Sequence, residues 1–322
     1  MTQQLIIIIL MATLFGCNNN SQQTLRLGHV SWPGYEALSL AKEKDLYTNI
    51  NVKIIRPSNN AENMLAFEHN IIDVAAVTLN NAVELQNNLK EPILVFAVLD
   101  VSLGGDVIIA QQEIKSVADL KGKRLGMVPS SFGAYFVARA IDSVPGLQFK
   151  QLQIIPITID HHFDHFMINA IDAIATYEPV KSKILHEKGH VIFDSTQIPN
   201  EIFDVLITKA SFAKKNSGAL SELLNGYFKA LDLIKKQPDR AIDSMAAFEG
   251  VSTDEYKKSL AGIHIPDRAE NKILLGTNDS TILITAKRLQ SFLKEQNIIK
   301  QDSQSLPKIS NRYLFKTVRK QQ

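Results

Sequence analysis

The 322 residues contain a single cysteine and a single tryptophan. A lone cysteine closes no intrachain disulfide, and a chain of this length can bury a core without one. No stretch of 18 uninterrupted apolar residues occurs, so no segment of the body reads as a membrane-spanning helix. Charge of one sign is also scarce: 35 Lys and Arg against 33 Asp and Glu leave a formal net charge of +2. Nucleic-acid binding would call for a concentrated basic footprint, and the basic tail of Lys316, Arg319 and Lys320 reads as a solvated terminus. Enzyme signatures are missing as well, with no Gly-Lys-Ser/Thr phosphate loop and no Gly-x-Ser-x-Gly nucleophile elbow. His161, His162 and His165 have no glutamate between them as a HExxH zinc helix would, so a solvated or capping cluster is the better reading. Catalytic residues, metals and cofactors are not expected, and the chain does not read as an enzyme.

What is present begins at the N-terminus. Residues 5–16 (LIIIILMATLFG) form a twelve-residue apolar run, too short for a bilayer, which needs about 20 residues, but suited to the core of a secretory signal. The run ends at Leu14-Phe15-Gly16-Cys17, which resembles the lipobox of bacterial lipoproteins. That resemblance implies removal of residues 1–16, a lipid on Cys17 and a flexible tether over 17–23, rich in Asn, Ser and Gln. Met1 to Gln4 departs from the pattern in carrying no Lys or Arg. Asn18 is not the aspartate of an inner-membrane retention signal, which favours an outer-membrane anchor facing the periplasm.

Beyond the tether, short strand-like runs (25–30, 51–55, 73–77, 93–98, 107–110, 124–127, 153–157, 173–176, 191–193) alternate with helix-like ones (37–44, 61–68, 80–88, 133–143, 161–169, 179–188). Alternation at this length implies βαβ units and mainly parallel sheets. From about Lys209 the pattern turns helical, over 218–236, 238–248, 253–260 and 281–296. Two interruptions look like crossings between units: Asp100 to Asp106, with a glycine pair, and Thr196 to Asn200. No internal repeat stands out. The expected architecture is α/β with two lobes: 24–99 and 205–322 form the first with the C-terminal helices, and 100–204 forms the second including the crossovers. Small molecules bind in such clefts, beyond the carboxyl ends of parallel strands.

Candidate site residues follow from that placement. Trp32-Pro33-Gly34-Tyr35-Glu36 sits between the first strand and the first helix. Gly34 permits a tight turn, Trp32 and Tyr35 can sandwich a ligand or face a cation, and Glu36 adds a carboxylate. His29 lies beside this loop. Thr78 follows the third strand and suits either a helix cap or a ligand contact. Asp100, Ser102 and Asp106 occupy the first crossing. Ser130, Ser131 and Phe132 precede a helix whose start can cap itself or hold an anion. Tyr177 and Glu178 end a strand before Pro179, and Asp204 opens the returning strand. No Lys or Arg falls inside these segments, whereas Glu36, Asp100, Asp106, Glu178 and Asp204 do. Burying unpaired carboxylates is costly, so a cationic or amine-bearing ligand is expected, with any anionic group held by amides near Ser130.

The chain resembles the periplasmic substrate-binding proteins of ABC importers for nitrate, sulfonates and taurine, including relatives similar to thiamine-pyrimidine precursor binders. The resemblance covers roughly residues 24–260. It rests on Trp32 to Glu36, Ser102-Leu103-Gly104-Gly105-Asp106, Asp119-Leu120-Lys121-Gly122-Lys123-Arg124-Leu125-Gly126, Asp172-Ala173 leading to Tyr177-Glu178-Pro179, and Phe193-Asp194-Ser195 leading to Ile198-Pro199 and Asp204-Val205-Leu206. It implies a type II-like bilobal receptor, expected as a monomer, that closes by hinge motion on a small molecule and hands it to an ABC permease. The same fold also serves lipid-anchored sensors that regulate a membrane signalling enzyme, a kinase or a cyclic-dinucleotide enzyme, and this is the alternative role.

Overall fold

The computed structural model describes residues 24–276, 280–303 and 305–315. The signal segment 1–16, the tether with Cys17 and the basic tail lie outside the described residues.

The first segment runs β1 (Thr24–Gly28), α1 (Glu36–Glu43), β2 (Asn51–Ile55), α2 (Asn60–Glu68), β3 (Val74–Thr78), α3 (Leu79–Asn88) and β4 (Ile93–Ser102). The second runs β5 (Asp106–Ala110), β6 (Arg124–Met127), α4 (Ser131–Asp142), β7 (Gln153–Pro156), α5 (His162–Met167), β8 (Ala173–Tyr177), α6 (Val180–Glu187) and β9 (His190–Asp194). The chain returns through β10 (Phe203–Lys209). It continues in α7 (Ala210–Lys215), α8 (Ser217–Lys236), α9 (Pro238–Glu249), α10 (Thr253–Leu260), β11 (Ile263–His264), α11 (Arg268–Leu274), α12 (Thr281–Glu295) and β12 (Lys308–Ile309).

Two sheets result, and they share one plan. The larger is ordered β2-β1-β3-β10-β4 with β11 and β12 on β4; the smaller is β7-β6-β8-β5-β9. In each, three parallel strands are followed by one antiparallel strand, β10 or β5, that enters straight from a crossing. Central strands are covered on both faces, as continuous apolar runs require. Every residue of β3, β4 and β5 is buried. Along β5 the side chains alternate as the pleat dictates: Ile108 and Ala110 enter one core cluster, Val107 and Ile109 the other.

The shared plan extends to side chains. Arg26 on β1 pairs with Asp73 just before β3 at 2.6 Å, and Asp73 also accepts the Arg26 amide. Arg124 on β6 pairs with Asp172 just before β8 at 2.6 Å, and Asp172 accepts the Arg124 amide. Asn70 and Asn169 take left-handed backbone (φ 58° and 57°). Each accepts from a lysine, Lys209 or Lys188, that also lies over the preceding Phe67 or Phe166 ring. The segment 70–78 (NIIDVAAVT) and the segment 169–177 (NAIDAIATY) are thus one structural device used twice.

The sequence-based elements hold with modest changes. The largest is β4, which continues to Ser102, so Asp100 and Ser102 belong to a strand rather than to a crossing loop. The additional pairing of Ile263 with Ser102 and of His264 with Val101 explains the extension, because it gives this end of β4 partners on both sides. The strands β11 and β12, two residues each, carry no periodicity that a sequence could reveal.

Candidate functional site

The strand plan brings one edge of each sheet to a common cleft. In the larger sheet Asp204 pairs with Thr78 on one side and with Asp100 on the other, so the three side chains stand in a row on one face. In the smaller sheet Asp106 pairs with Tyr177. Asp204 and Asp106 are therefore equivalent positions: each lies at the start of the antiparallel strand of its sheet, Asp106 as its first residue and Asp204 as its second, opposite the last residue of the device described above.

Two neighbouring chambers lie here, with four lining residues in common. The inner one, about 30 Å³, is lined by Trp32, Tyr35, Thr78, Asp106, Phe132 and Asp204 together with Val30, Ser31, Asn60, Tyr177 and Ile202. The outer one, about 180 Å³, shares Val30, Ser31, Asn60 and Tyr177 with it and adds Ser58, Asn59, Ile159, Asp160, Glu178, Pro179 and Val180. The Trp32 ring meets Tyr177 edge-on at 5.9 Å, closing the inner chamber from both sheets. Larger surface grooves exist on the helices, at Thr48 to Ala269 and around Phe163 and His186, but neither carries this convergence of aromatic and acidic groups from two sheets.

Hydrogen bonding within the inner chamber is lopsided. Trp32 Nε1 donates to Asp100 Oδ2 at 3.0 Å, and Tyr35 Oη donates to Asp204 Oδ1 at 2.5 Å. Thr78 Oγ1 donates to Asn81 Oδ1 at 3.0 Å while capping α3 through the Asn81 amide. Three lining donors are thus engaged within the protein, while the carboxylates of Asp204 and Asp106 face the chamber. Burial dominates their protonation. It pushes Asp204 up to about 6, with the Tyr35 hydroxyl pulling the other way. It pushes Asp106 up to about 7, with the Ser102 hydroxyl opposing and Asp204 adding to the rise. Asp100 is held well above the usual carboxylate range by burial and then by Asp204. Its Oδ1 is shielded from water without a hydrogen-bond partner, a cost that falls if one proton is shared between the Asp100 and Asp204 carboxyls.

The sequence-derived candidates divide accordingly. Trp32, Tyr35, Thr78, Asp106, Phe132, Tyr177 and Asp204 line the inner chamber, and Glu178 lines the outer one. Gly34 lines neither but is required: a β-carbon there would stand 1.8 Å from Asp100 Oδ2. Asp100 acts behind the wall through Trp32 and Asp204. Glu36 is fully buried in a two-bond ion pair with Arg56, at 2.7 and 2.8 Å, and lines neither chamber. Ser102 shares a hydrogen bond with Ser195 at 2.8 Å. Ser130 caps α4 through the Gly133 amide, and Ser131 is buried, neither lining a chamber. His29 is likewise internal, bonded to Val30 O and Ser39 Oγ and lowered to about 4 by burial and by Arg56. His162 is buried against Thr176 and Ile157 O, His161 is exposed and His165 is half-buried. Among the described residues no group of three or more His, Cys, Asp or Glu side chains is arranged to hold a metal.

Two cations were invisible to a segment-by-segment reading. Arg56 reaches Glu36 from just beyond β2, and Lys181 reaches Glu178 at 3.1 Å from the first turn of α6. Asn60, Ser31 and Ile202 were also passed over. Asn60 follows a strand and opens a helix, the same placement that singled out Thr78 and Tyr177.

Two mixed α/β sheets of the same strand plan, one in each lobe and joined by two crossings, form the type II periplasmic binding protein architecture. Within that class the chain belongs to the NMT1/THI5-like family, whose model matches residues 32–241, more than half of its length. Proteins of Brucella abortus (strain 2308) and Brucella suis, each provisionally named a binding protein, are 26% identical over 147 residues, 44% of this chain and 46% of theirs. The chain therefore spans about half the length of the curated relatives it matches. Among solved structures, the periplasmic aliphatic sulphonate binding protein SsuA of Escherichia coli superimposes with a TM-score of 0.70 at 19% identity, over 90% of this chain and 96% of that one. The alkanesulfonate-binding SsuA of Xanthomonas axonopodis pv. citri, bound to MOPS, gives 0.68 at 16% over 86% and 94%. A mutant of the desulfurization enzyme DSZB, in complex with biphenyl-2-sulfinic acid, gives 0.70 at 15% over 91% and 98%. At these identities the likeness is one of fold.

Proposed function

We propose that this protein is a non-catalytic, extracytoplasmic solute receptor that closes its two lobes on a small amine-bearing or zwitterionic molecule and delivers it to an ABC importer. The observation that carries the reading is the hydrogen-bond imbalance of the inner chamber: Trp32, Tyr35 and Thr78 already donate to protein acceptors, while Asp204 and Asp106 approach from opposite lobes. A donor-rich cation between the two aspartates offsets their mutual repulsion, and only the closed form supplies both. Differential affinity of this kind is what a ligand needs to drive closure. A sulfonate would face those carboxylates, and neither Ser130 nor Ser131, which the sequence suggested as an anion cradle, lines the chamber: Ser130 caps α4, and Ser131 Oγ is buried without a partner.

Trp32, Tyr35, Thr78, Asp106, Phe132, Tyr177 and Asp204 are the contact residues in this reading, with Asp100 and Gly34 positioning them. Lobe boundaries at 24–99 with 205–322 and at 100–204, a lipid on Cys17 and a periplasmic, membrane-anchored location complete it. The names of the relatives and structures reported above do not point to the signalling alternative. A thermal-shift screen of the chain without residues 1–16, over amines, amidines, amino acids and sulfonates, tests the ligand class. An amine or zwitterion is expected to give the largest stabilisation, lost in Asp106→Asn; a sulfonate winning with Asp106→Asn unaffected contradicts it.

A further inference from the structure

Asp100 on β4 and Asp204 on β10 are directly opposed, which sets their β-carbons about 5 Å apart on one face of the sheet. Both side chains are buried. The donors nearest to them are committed: Trp32 Nε1 to Asp100 Oδ2 at 3.0 Å, and Tyr35 Oη to Asp204 Oδ1 at 2.5 Å. Asp106 on β5, Tyr227 on α8 and Tyr256 on α10 also lie within electrostatic reach of Asp100. All of these groups are acids, and none supplies a compensating charge. Tyr227 donates to Leu99 O and Tyr256 to Pro33 O. His264, on β11 beside Val101, is bound to Glu270 at 3.0 Å. Asp100 Oδ1 is left sealed from water with no donor.

With both aspartates ionised, two buried charges would repel and Oδ1 would be an empty acceptor. A single proton on Asp100 Oδ1 removes both faults. Asp100 is its better seat, because that side chain is fully enclosed, whereas Asp204 lines the chamber and has its anion favoured by the Tyr35 hydroxyl. Burial and the neighbouring Asp204 hold Asp100 well above the usual carboxylate range.

We propose that Asp100 is a neutral carboxylic acid whose Oδ1–H donates to Asp204, a positioning residue that fixes Asp204 as the one anion of this pair. Tyr35 and Asp100 then engage two of the lone pairs of the Asp204 carboxylate, and the others are left for a ligand in the chamber. The place of the proton stands on the hydrogen-bond inventory; its consequence for binding rests on the amine reading above. Asparagine at position 100 can accept from Trp32 and donate to Asp204, and alanine can do neither.

Infrared spectroscopy of the full chain, isotope-labelled at its aspartate carboxyls, tests this without a ligand. At pH 9, above the values of about 6 and about 7 for Asp204 and Asp106, one protonated aspartate C=O band is expected. It should vanish in Asp100→Asn protein that melts as a folded chain, and persist in Asp106→Asn. Absence of the band from wild type overturns the proposal whether or not the variants fold, and so does its survival in Asp100→Asn. The Asp204 titration, assigned by its loss in Asp204→Asn, should move up in Asp100→Ala, which removes a donor, and stay in place in Asp100→Asn. A downward move in both is the mark of a charged Asp100 and overturns it. Methylammonium affinity, measured by calorimetry at pH 8, should change by less than about threefold in Asp100→Asn; a loss of about tenfold or more overturns the positioning role. Wild type that binds no methylammonium counts against the amine reading, and the two infrared results still decide the role of Asp100.

Discussion

The two lobes are built on the same nine-residue device and part company only at its last residue. From Asn70 and from Asn169 the chain runs through a left-handed asparagine, an arginine-paired aspartate and a buried strand. One ends in Thr78, which turns back to cap α3, and the other in Tyr177, which reaches across to Trp32. Near the start of the antiparallel strands beside them stand Asp204 and Asp106, yet these also differ. Asp204 sits in a network with Tyr35, Asp100 and Trp32; Asp106 has the Ser102 hydroxyl and the more distant Lys181 charge. The repeated parts make the scaffold, and the divergent ends make the site. The larger lobe presents a wall whose geometry is already fixed by its own hydrogen bonds, and the smaller one contributes an acid and aromatic rings to the same chamber.

The sharpest way to break that contrast is Trp32→Ala. It empties a buried site and leaves Asp100 Oδ2 without its donor, so a loss of about 3–5 kcal/mol in denaturant unfolding is expected. A loss below about 1 kcal/mol would mean the larger wall is not preorganised by this network. Next comes Arg56→Met. Glu36 would then be buried and unpaired, which costs about 3 kcal/mol, while ligand affinity in protein that remains folded should change little because the pair faces neither chamber. The smallest effects belong to the shared device: Arg26→Ala should cost about 1 kcal/mol, being a partly exposed pair, and Arg124→Ala, whose pair is more exposed, less than that; neither should alter affinity. A large affinity effect of either would make the device part of the site.

The alternation of strands and helices was legible in the chain, as were the two crossings and seven of the residues that line the inner chamber. All of those signals are local: periodicity, a turn, a polar residue after a strand. What escaped required partners distant in sequence. Asp100 reads as loop because its strand ends in a polar, glycine-rich stretch, but pairing with β11, far down the chain, keeps that end extended. Glu36 reads as a ligand group because Arg56 lies beyond the next strand. The duplication escaped because it resides in hydrogen bonds: segments 70–78 and 169–177 agree at only a few positions, while Arg26, Arg124, Lys188 and Lys209 that complete each copy lie elsewhere in the chain.

The central claim, that a cation bridges Asp204 and Asp106, has a thermodynamic signature. Both carboxyls are raised, to about 6 and about 7, so in the unliganded chamber they hold protons that an ammonium must displace. A raised carboxyl contributes stability in acid that is lost as pH climbs through its folded value, and ligand affinity runs the other way. Calorimetric titration of the best-binding amine, repeated between pH 5.5 and 8 in buffers of different ionisation enthalpy, measures the displaced protons directly. The account predicts proton release on binding near pH 6.5 and affinity that rises with pH to a plateau near pH 8, with the release reduced in Asp106→Asn. Proton uptake, or affinity flat across that range, would contradict it.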